Sequence, residues 1–144
     1  MPIARVNDID IAYEVTGAGE PLVMIMGITG SKWHWLGFHR RLGEDCLTVT
    51  FDNRGVGGTT APEPPYTIPQ MAEDTLGLLD AIGIDRAHVF GVSMGGMIAQ
   101  EIALAHPERV RTLILGCTNF GGTGQILPGP EVYQRAFIIA GTGP

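Results

Sequence analysis

The sequence Gly91-Val92-Ser93-Met94-Gly95 constrains the fold more than any other stretch, because it joins two segments of opposite character. The apolar run AHVFGV at 87–92 precedes it and is typical of a strand buried on both faces. The segment GGMIAQEIALAH at 95–106 follows it with helical spacing of its apolar residues. A strand that passes directly into a helix needs a tight bend, and the flanking Gly91 and Gly95 allow the two elements to approach each other. We therefore predict that Ser93 lies at the apex of a sharp strand-to-helix turn.

This position makes Ser93 a candidate nucleophile for acyl transfer. The N–H groups and the partial positive charge of a helix N-terminus point at such an apex and would stabilise an oxyanion there. A tetrahedral intermediate needs two N–H donors. The N–H of Met94 is one candidate, and the N–H of Ile28, in the Gly-rich turn after the apolar run at 21–27, is the other. The alternatives are a helix-capping role for Ser93 and an ordinary strand-to-helix connection at the Gly-rich turn.

Strands alternate with helices along the rest of the chain. Strands are predicted at 3–6 and 9–15, around the turn pair Asn7-Asp8, and at 21–27, 46–52, 87–92 and 110–118. Helices are predicted at 33–43 with Ser31 as its cap, at 67–83 with Thr67 and Gln70 at capping-box spacing, at 95–106, and as a short start near 131–140. This order predicts a single α/β domain over residues 1–144, with a mostly parallel sheet and helices on both faces.

Composition and charge narrow the functional class. A formal net charge of −6 over 144 residues argues against a nucleic-acid partner. The start of the chain lacks the apolar core of a signal peptide and no apolar stretch is long enough to span a membrane, so we expect a cytoplasmic protein with no membrane partner.

Cys46 and Cys117 fall in strand-like runs and are interpreted as reduced core thiols. The four histidines show no metal-ligand spacing and no dinucleotide-binding glycine motif is present, so neither a metal nor a cofactor is expected.

Several motifs together resemble a known family. MGITG, FDNRGVGGT, YTIPQMAEDTLGLLDAIGI and AHVFGVSMGGMIAQEIALAHPERVRTLIL follow in the order seen in α/β-hydrolase-fold serine hydrolases. The sequences of these motifs are similar to those of the 3-oxoadipate enol-lactonase-like and esterase branch, and the similarity covers roughly residues 8 to 118. The resemblance implies Ser93 as the nucleophile and the main-chain N–H groups of Ile28 and Met94 as the oxyanion hole. It also implies a turn at Asp52, Arg54 and Gly55, which we interpret as structural.

The sequence departs from the family at two points. The loop that usually reads His-Gly is Met26-Gly27 here, which alters the local polarity but keeps a backbone donor. In this fold the acid and the histidine follow the serine on later loops. No histidine follows His106, and Asn119 occupies the position after the strand at 110–118 where some hydrolases place the acid. We therefore expect an N-terminal half, truncated after the sixth strand, without the C-terminal strands and the lid.

No histidine of the chain is well placed to activate Ser93. His88 begins the strand that leads to Ser93 and would lie about 16 Å away. His106, at the far end of the following helix, would lie about 18 Å away. His34 and His39 lie on the helix after the Gly-rich turn, and of these His34 is nearer the relevant sheet edge, although a surface or packing role is favoured for it.

Three interpretations remain open from the sequence. The chain is one piece of a hydrolase whose acid and histidine lie elsewhere or on a second polypeptide, a short form that self-assembles, or a catalytically silent binding module. An unfinished parallel sheet exposes an apolar edge strand, so a homo-oligomer or a complementary chain is expected at 110–118. The predicted substrate is a small carboxylic ester or lactone, and Trp33, Trp35 and Phe120 are candidates either for its apolar pocket or for core packing.

Overall fold

The computed structural model describes residues 2–124 and 129–132. The strands are β1 (Ile3–Val6), β2 (Ile9–Thr16), β3 (Pro21–Ile25), β4 (Leu47–Phe51), β5 (Ala87–Val92) and β6 (Val110–Gly116). The helices are α1 (Phe38–Leu42), α2 (Ile68–Ala81) and α3 (Met94–Ala105), with 3₁₀ turns at Lys32–Trp35 and Pro107–Arg109. Of the helical start predicted near 131–140, residues 131 and 132 are helical and the rest lies outside the described residues.

The described strands form one mixed sheet in the order β1-β2-β4-β3-β5-β6. β4, β3, β5 and β6 run parallel to one another, whereas β1 and β2 are antiparallel to their neighbours. The prediction of a mostly parallel α/β sheet is therefore confirmed. Because parallel strands end at the same edge, the loops after β3, β4, β5 and β6 meet there, and these loops carry the predicted site.

The main core lies between one face of the sheet and the helices α2 and α3. Alternate strand residues such as Val23, Val49 and Val89 point to this side and pack with Leu78 and Ile98 of the two helices. The opposite face is covered by the first 3₁₀ turn and α1, over a smaller cluster of Leu22, Met24 and Trp35. Helices thus lie on both faces, as predicted, and the α2–α3 layer positions the start of α3 beneath the end of β5.

Helix α2 begins where its sequence predicts. The Thr67 hydroxyl accepts a hydrogen bond from the Gln70 N–H at 3.2 Å, which satisfies one of the unpaired donors of the first turn. Met71, Thr75 and Leu79 form part of its buried face, and the Thr75 hydroxyl donates to the Met71 carbonyl at 2.8 Å. The amphipathic spacing and the cap together account for this helix.

The single helix predicted over 33–43 is wrong. A 3₁₀ turn and the short helix α1 replace it, because Leu36 and Gly37 have φ values of 48° and 85° that interrupt the helical path. Ser31 does occupy the cap position of the 3₁₀ turn, and its backbone N–H donates to His34 Nδ1 at 3.0 Å. The break is not evident from the sequence, because Gly37 lies within an otherwise helical apolar pattern.

The two cysteines are free, but they do not both lie in the core. Cys46 is half-buried just before β4, and its thiol donates to the Leu42 carbonyl at 3.0 Å. Burial and, to a lesser degree, the neighbouring Asp45 carboxylate raise the pKa of the Cys46 thiol. Cys117 follows β6 and is exposed. The prediction of a core thiol is therefore wrong for Cys117, because β6 lies at the edge of the sheet.

Candidate active site

Ser93 occupies the residue between β5 and α3. Its backbone has φ 56° and ψ −123°, a strained combination for a residue with a side chain. The Ser93 N–H donates to the Gly116 carbonyl at 2.9 Å, and its carbonyl accepts from the Gly96 N–H at 2.9 Å and from the Thr118 hydroxyl at 2.6 Å. These hydrogen bonds fix the backbone of the turn to the end of β6 and to the first turn of α3. They do not involve the Ser93 side chain, and Ser93 is exposed at the sheet edge.

Glycines around Ser93 are required by close packing. A Cβ on Gly91 would lie 2.2 Å from the Gly95 carbonyl oxygen, and a Cβ on Gly95 would lie 2.1 Å from the Ile25 carbonyl oxygen. A Cβ on Gly27, in the loop after β3, would lie 2.9 Å from Ser93 Cβ and 3.3 Å from Ser93 Oγ. The end of β5, the start of α3 and the loop after β3 therefore converge on the serine.

A cavity of about 480 Å³ lies beside the turn. Its lining includes Ile28 and Met94, the two residues whose N–H groups are the candidate oxyanion donors, together with Thr29, Val56 and Tyr66. Met94 is the first residue of α3, so its N–H is not used within that helix. An ester carbonyl next to Ser93 would therefore have two candidate backbone donors within one concave site.

The loop after β3 (residues 26–31, the β3 loop) is held by side chains that follow β4. The Asp52 carboxylate accepts hydrogen bonds from the Lys32 N–H and from Lys32 Nζ, each at 2.7 Å. The Asn53 side-chain amide donates to the Met26 carbonyl at 2.9 Å. Lys32 and Asp52 are each only 1% exposed, so this ion pair is shielded from water. Asp52 is predicted as part of a structural turn, and no local sequence pattern links it to its partner Lys32.

Arg54 is the charged side chain in the cavity lining, and two carboxylates compensate its charge. It donates through Nε and Nη2 to Asp74 at 2.7 and 2.9 Å, and through Nη2 to Asp8 at 3.0 Å. Hydrogen bonding to Asp74 and then to Asp8 raises the pKa of Arg54 further above its ordinary value. The bond from Arg54 also lowers the pKa of the Asp8 carboxyl. The guanidinium therefore adds no net positive charge to the cavity.

Three of the four histidines are hydrogen-bonded to groups other than Ser93, and the fourth, His39, is buried without a hydrogen bond to its ring. His88 Nδ1 is 2.7 Å from the Thr112 hydroxyl on β6, and His106 Nε2 is 3.0 Å from Glu73. His34 Nδ1 accepts from Ser31, and His39 is buried with Nε2 3.6 Å from a Glu14 carboxylate oxygen. Within the described residues, none of these rings is hydrogen-bonded to Ser93 Oγ.

The aromatic residues named from sequence do not form the pocket. Trp35 is buried on the opposite face of the sheet, with its ring centroid 5.3 Å from that of Phe90. Trp33 and Phe120 are exposed and do not line the cavity beside Ser93. The core-packing alternative is therefore correct for Trp35.

Asn119 lies after β6, and its side-chain oxygen accepts a hydrogen bond from the Gly121 N–H at 2.8 Å.

Two classes of feature are absent from the part of the chain that the structure describes. No cluster of three or more histidine, cysteine or carboxylate side chains could hold a metal ion there. Likewise, no helix among residues 2–124 and 129–132 has the length and apolarity needed to cross a membrane.

Comparison with known proteins agrees with this geometry. A family model described as the alpha/beta hydrolase fold matches residues 20–133. The chain belongs to the α/β-hydrolase-fold family. The match covers the strands β3 to β6, the helices α1 to α3 and the turn at Ser93, so the expected resemblance is confirmed.

Individual α/β-hydrolase relatives share this half of the fold. The chain is 34% identical over 148 residues to a candidate carbamate hydrolase, RutD, of Azorhizobium caulinodans, with 94% of this chain and 56% of the relative covered. It superposes on the enol-lactonase from Burkholderia xenovorans LB400 with a TM-score of 0.81 and 30% identity, covering 98% of this chain and 54% of that one. Est816, an N-acyl homoserine lactone degrading enzyme, gives a TM-score of 0.82 with 29% identity, over 96% of this chain and 54% of that one. The chain thus spans about half the length of these relatives.

Proposed function

We propose that this chain carries the nucleophile and the oxyanion hole of a serine hydrolase that acts on carboxylic esters or lactones. The observation that carries the proposal is the strained, exposed Ser93 between β5 and α3, packed against Gly27 and next to two candidate N–H donors. The lactone-degrading activities named for two structural relatives support this substrate class.

The proposed reaction has two steps. Ser93 Oγ attacks the substrate carbonyl carbon while its proton passes to a histidine, and the carbonyl oxygen becomes an oxyanion that accepts from the N–H groups of Ile28 and Met94. The intermediate collapses to an acyl-enzyme as the leaving alcohol takes the proton from the histidine. Water then cleaves the acyl-enzyme to give a carboxylic acid and free Ser93. With a lactone, the alcohol and the acid are ends of one product.

The histidine and its acid are proposed to come from outside the described residues, on a further segment or a second chain. His34, His88 and His106 are hydrogen-bonded to other groups, and His39 is buried beside Glu14, which supports this assignment. The turn and the oxyanion hole still provide partial reactivity, because serine hydrolases without a triad member keep roughly 10³- to 10⁴-fold catalysis over water. The chain is therefore expected to react slowly through Ser93 and to speed up when a base is supplied.

A fluorophosphonate probe tests the proposal. We expect covalent labelling at Ser93 that is accelerated by added imidazole. In Ser93→Ala we expect no labelling of the peptide that contains position 93. Ser31→Ala is the matched control, because Ser31 is the other serine of the chain and labelling of Ser93 is expected to be retained when Ser31 is removed. Absence of Ser93 labelling with or without imidazole would reject the hydrolase and favour the catalytically silent binding module.

A further inference from the structure

The β3 loop has one internal backbone hydrogen bond, from the Gly30 N–H to the Gly27 carbonyl at 3.2 Å. The Ile28 side chain is 70% exposed, so the residue that offers the candidate donor is not anchored by packing. Thr29 has φ 60°, in the left-handed region that a β-branched residue rarely adopts. Such a backbone persists only when contacts on either side impose it. Contacts at the two ends of the loop therefore contribute to the position of the Ile28 N–H.

Both ends of the β3 loop are fixed by residues that follow β4. Asn53 bonds the Met26 carbonyl at the start, and the Asp52 carboxylate bonds the Lys32 backbone N–H just after the end. The same carboxylate accepts from Lys32 Nζ and from the Gly58 N–H at 2.9 Å. Asp52 thus links the β3 loop to the turn after β4 through three hydrogen bonds.

Stability alone does not account for a buried ion pair at this place. Apolar residues of similar volume in place of such a pair are often neutral or stabilising, because burying two charges costs about as much as their attraction returns. The pair does provide a fixed geometry, since each Asp52 oxygen faces a different donor of Lys32. Its location between the β3 loop and the cavity-lining turn suggests what that geometry serves.

We propose that Lys32 and Asp52 are positioning residues that hold the Ile28 N–H in the oxyanion hole. This inference rests on the proposed function of Ser93. The pair does not touch the substrate; it acts through the β3 loop. Misplacing one oxyanion donor lowers the rate of attack without preventing substrate from entering the cavity.

Two double variants separate positioning from charge and stability. In K32M/D52N the charges are gone, but the residue at 52 still offers an oxygen to the backbone N–H at 32. In K32M/D52V the charges are gone and the acceptor is gone as well. Neither variant buries an unpaired charge, so both are expected to fold. Val6→Ala, in the main core on β1, is the control for a general loss of stability.

The measurements are the fluorophosphonate labelling rate of Ser93 and amide hydrogen exchange in residues 26–32. We expect K32M/D52V to label at least about tenfold more slowly than K32M/D52N, with faster exchange in the β3 loop and unchanged exchange in α2. Val6→Ala is expected to keep the wild-type labelling rate at temperatures where it is folded.

The possible outcomes distinguish the two proposals. Equal labelling rates and equal loop exchange in the two double variants would overturn the positioning role, while labelling of Ser93 in the wild type would leave the hydrolase proposal standing. A wild type that never labels at Ser93 would reject both proposals.

Discussion

At the scale of single residues, the turn at Ser93 depends on the absence of side chains around it. Gly95 lies against the end of β3, and Gly91 lies against Gly95 itself. The sequence motif predicts this close packing, since only glycine at these two positions allows the strand and the helix to approach so closely. The buried pair of Lys32 and Asp52 is not predictable in the same way, because the two residues are 20 positions apart and no local pattern links them.

Gly95→Ala tests the packing of the turn. Its Cβ would lie 2.1 Å from the backbone oxygen of Ile25, which cannot move without shifting β3. We expect a loss of about 3 kcal/mol or more in the free energy of unfolding, measured by urea denaturation. Gly124→Ala is the matched control, since its Cβ would meet the Phe120 ring at an ordinary 3.6 Å and should change stability by less than about 0.5 kcal/mol. Equal stability of the two variants would contradict the packing at Gly95.

At the scale of elements, the sequence predicts the strands and the longer helices well because their signals are local. An apolar run that ends in glycine locates β3, a run rich in β-branched residues locates β4, and the apolar run before Ser93 locates β5. A cap with amphipathic spacing locates α2. The break between the first 3₁₀ turn and α1 escapes the sequence, because it depends on the backbone conformation of Leu36 and Gly37. The role of Trp35 escapes for a related reason, since Trp35 lies in a 3₁₀ turn and not in the predicted helix.

β6 exposes three consecutive apolar side chains in the described sheet. Leu113, Ile114 and Leu115 are 38%, 46% and 43% exposed, and β6 pairs with β5 along one side. Consecutive strand residues point to opposite faces, so both faces of β6 are partly exposed, and its second edge pairs with no strand among the described residues. An open apolar edge strand favours association with another chain.

Ile114→Lys tests this association. We expect the wild-type chain to elute from size-exclusion chromatography above the monomer size, and Ile114→Lys to shift it toward the monomer, because a charge on β6 opposes pairing. Leu104→Lys is the control, since Leu104 is an exposed apolar residue on α3 away from the sheet edge. A wild type that remains monomeric at high concentration would contradict the expected oligomer.

At the scale of the whole molecule, the fold brings the parts of the proposed hydrolase site together in a defined geometry. The strands β3 to β6 bring the β3 loop, the turn after β4 and the start of α3 to one sheet edge, beside a cavity of about 480 Å³. The sequence predicts this arrangement because several motifs agree on it. It leaves the catalytic base open, because none of the four histidines follows Ser93 on a loop at this edge.

The most direct test of the account is to find where an acyl group attaches. The chain is mixed with p-nitrophenyl acetate and imidazole, and the acetylated peptide is identified by mass spectrometry. A neutral ester is the suitable probe, because Asp8 and Asp74 already compensate the charge of Arg54 beside the cavity. The account predicts acetylation at Ser93 that is absent in Ser93→Ala and retained in Ser31→Ala. Acetyl groups on lysines alone, with Ser93 unmodified, would contradict it.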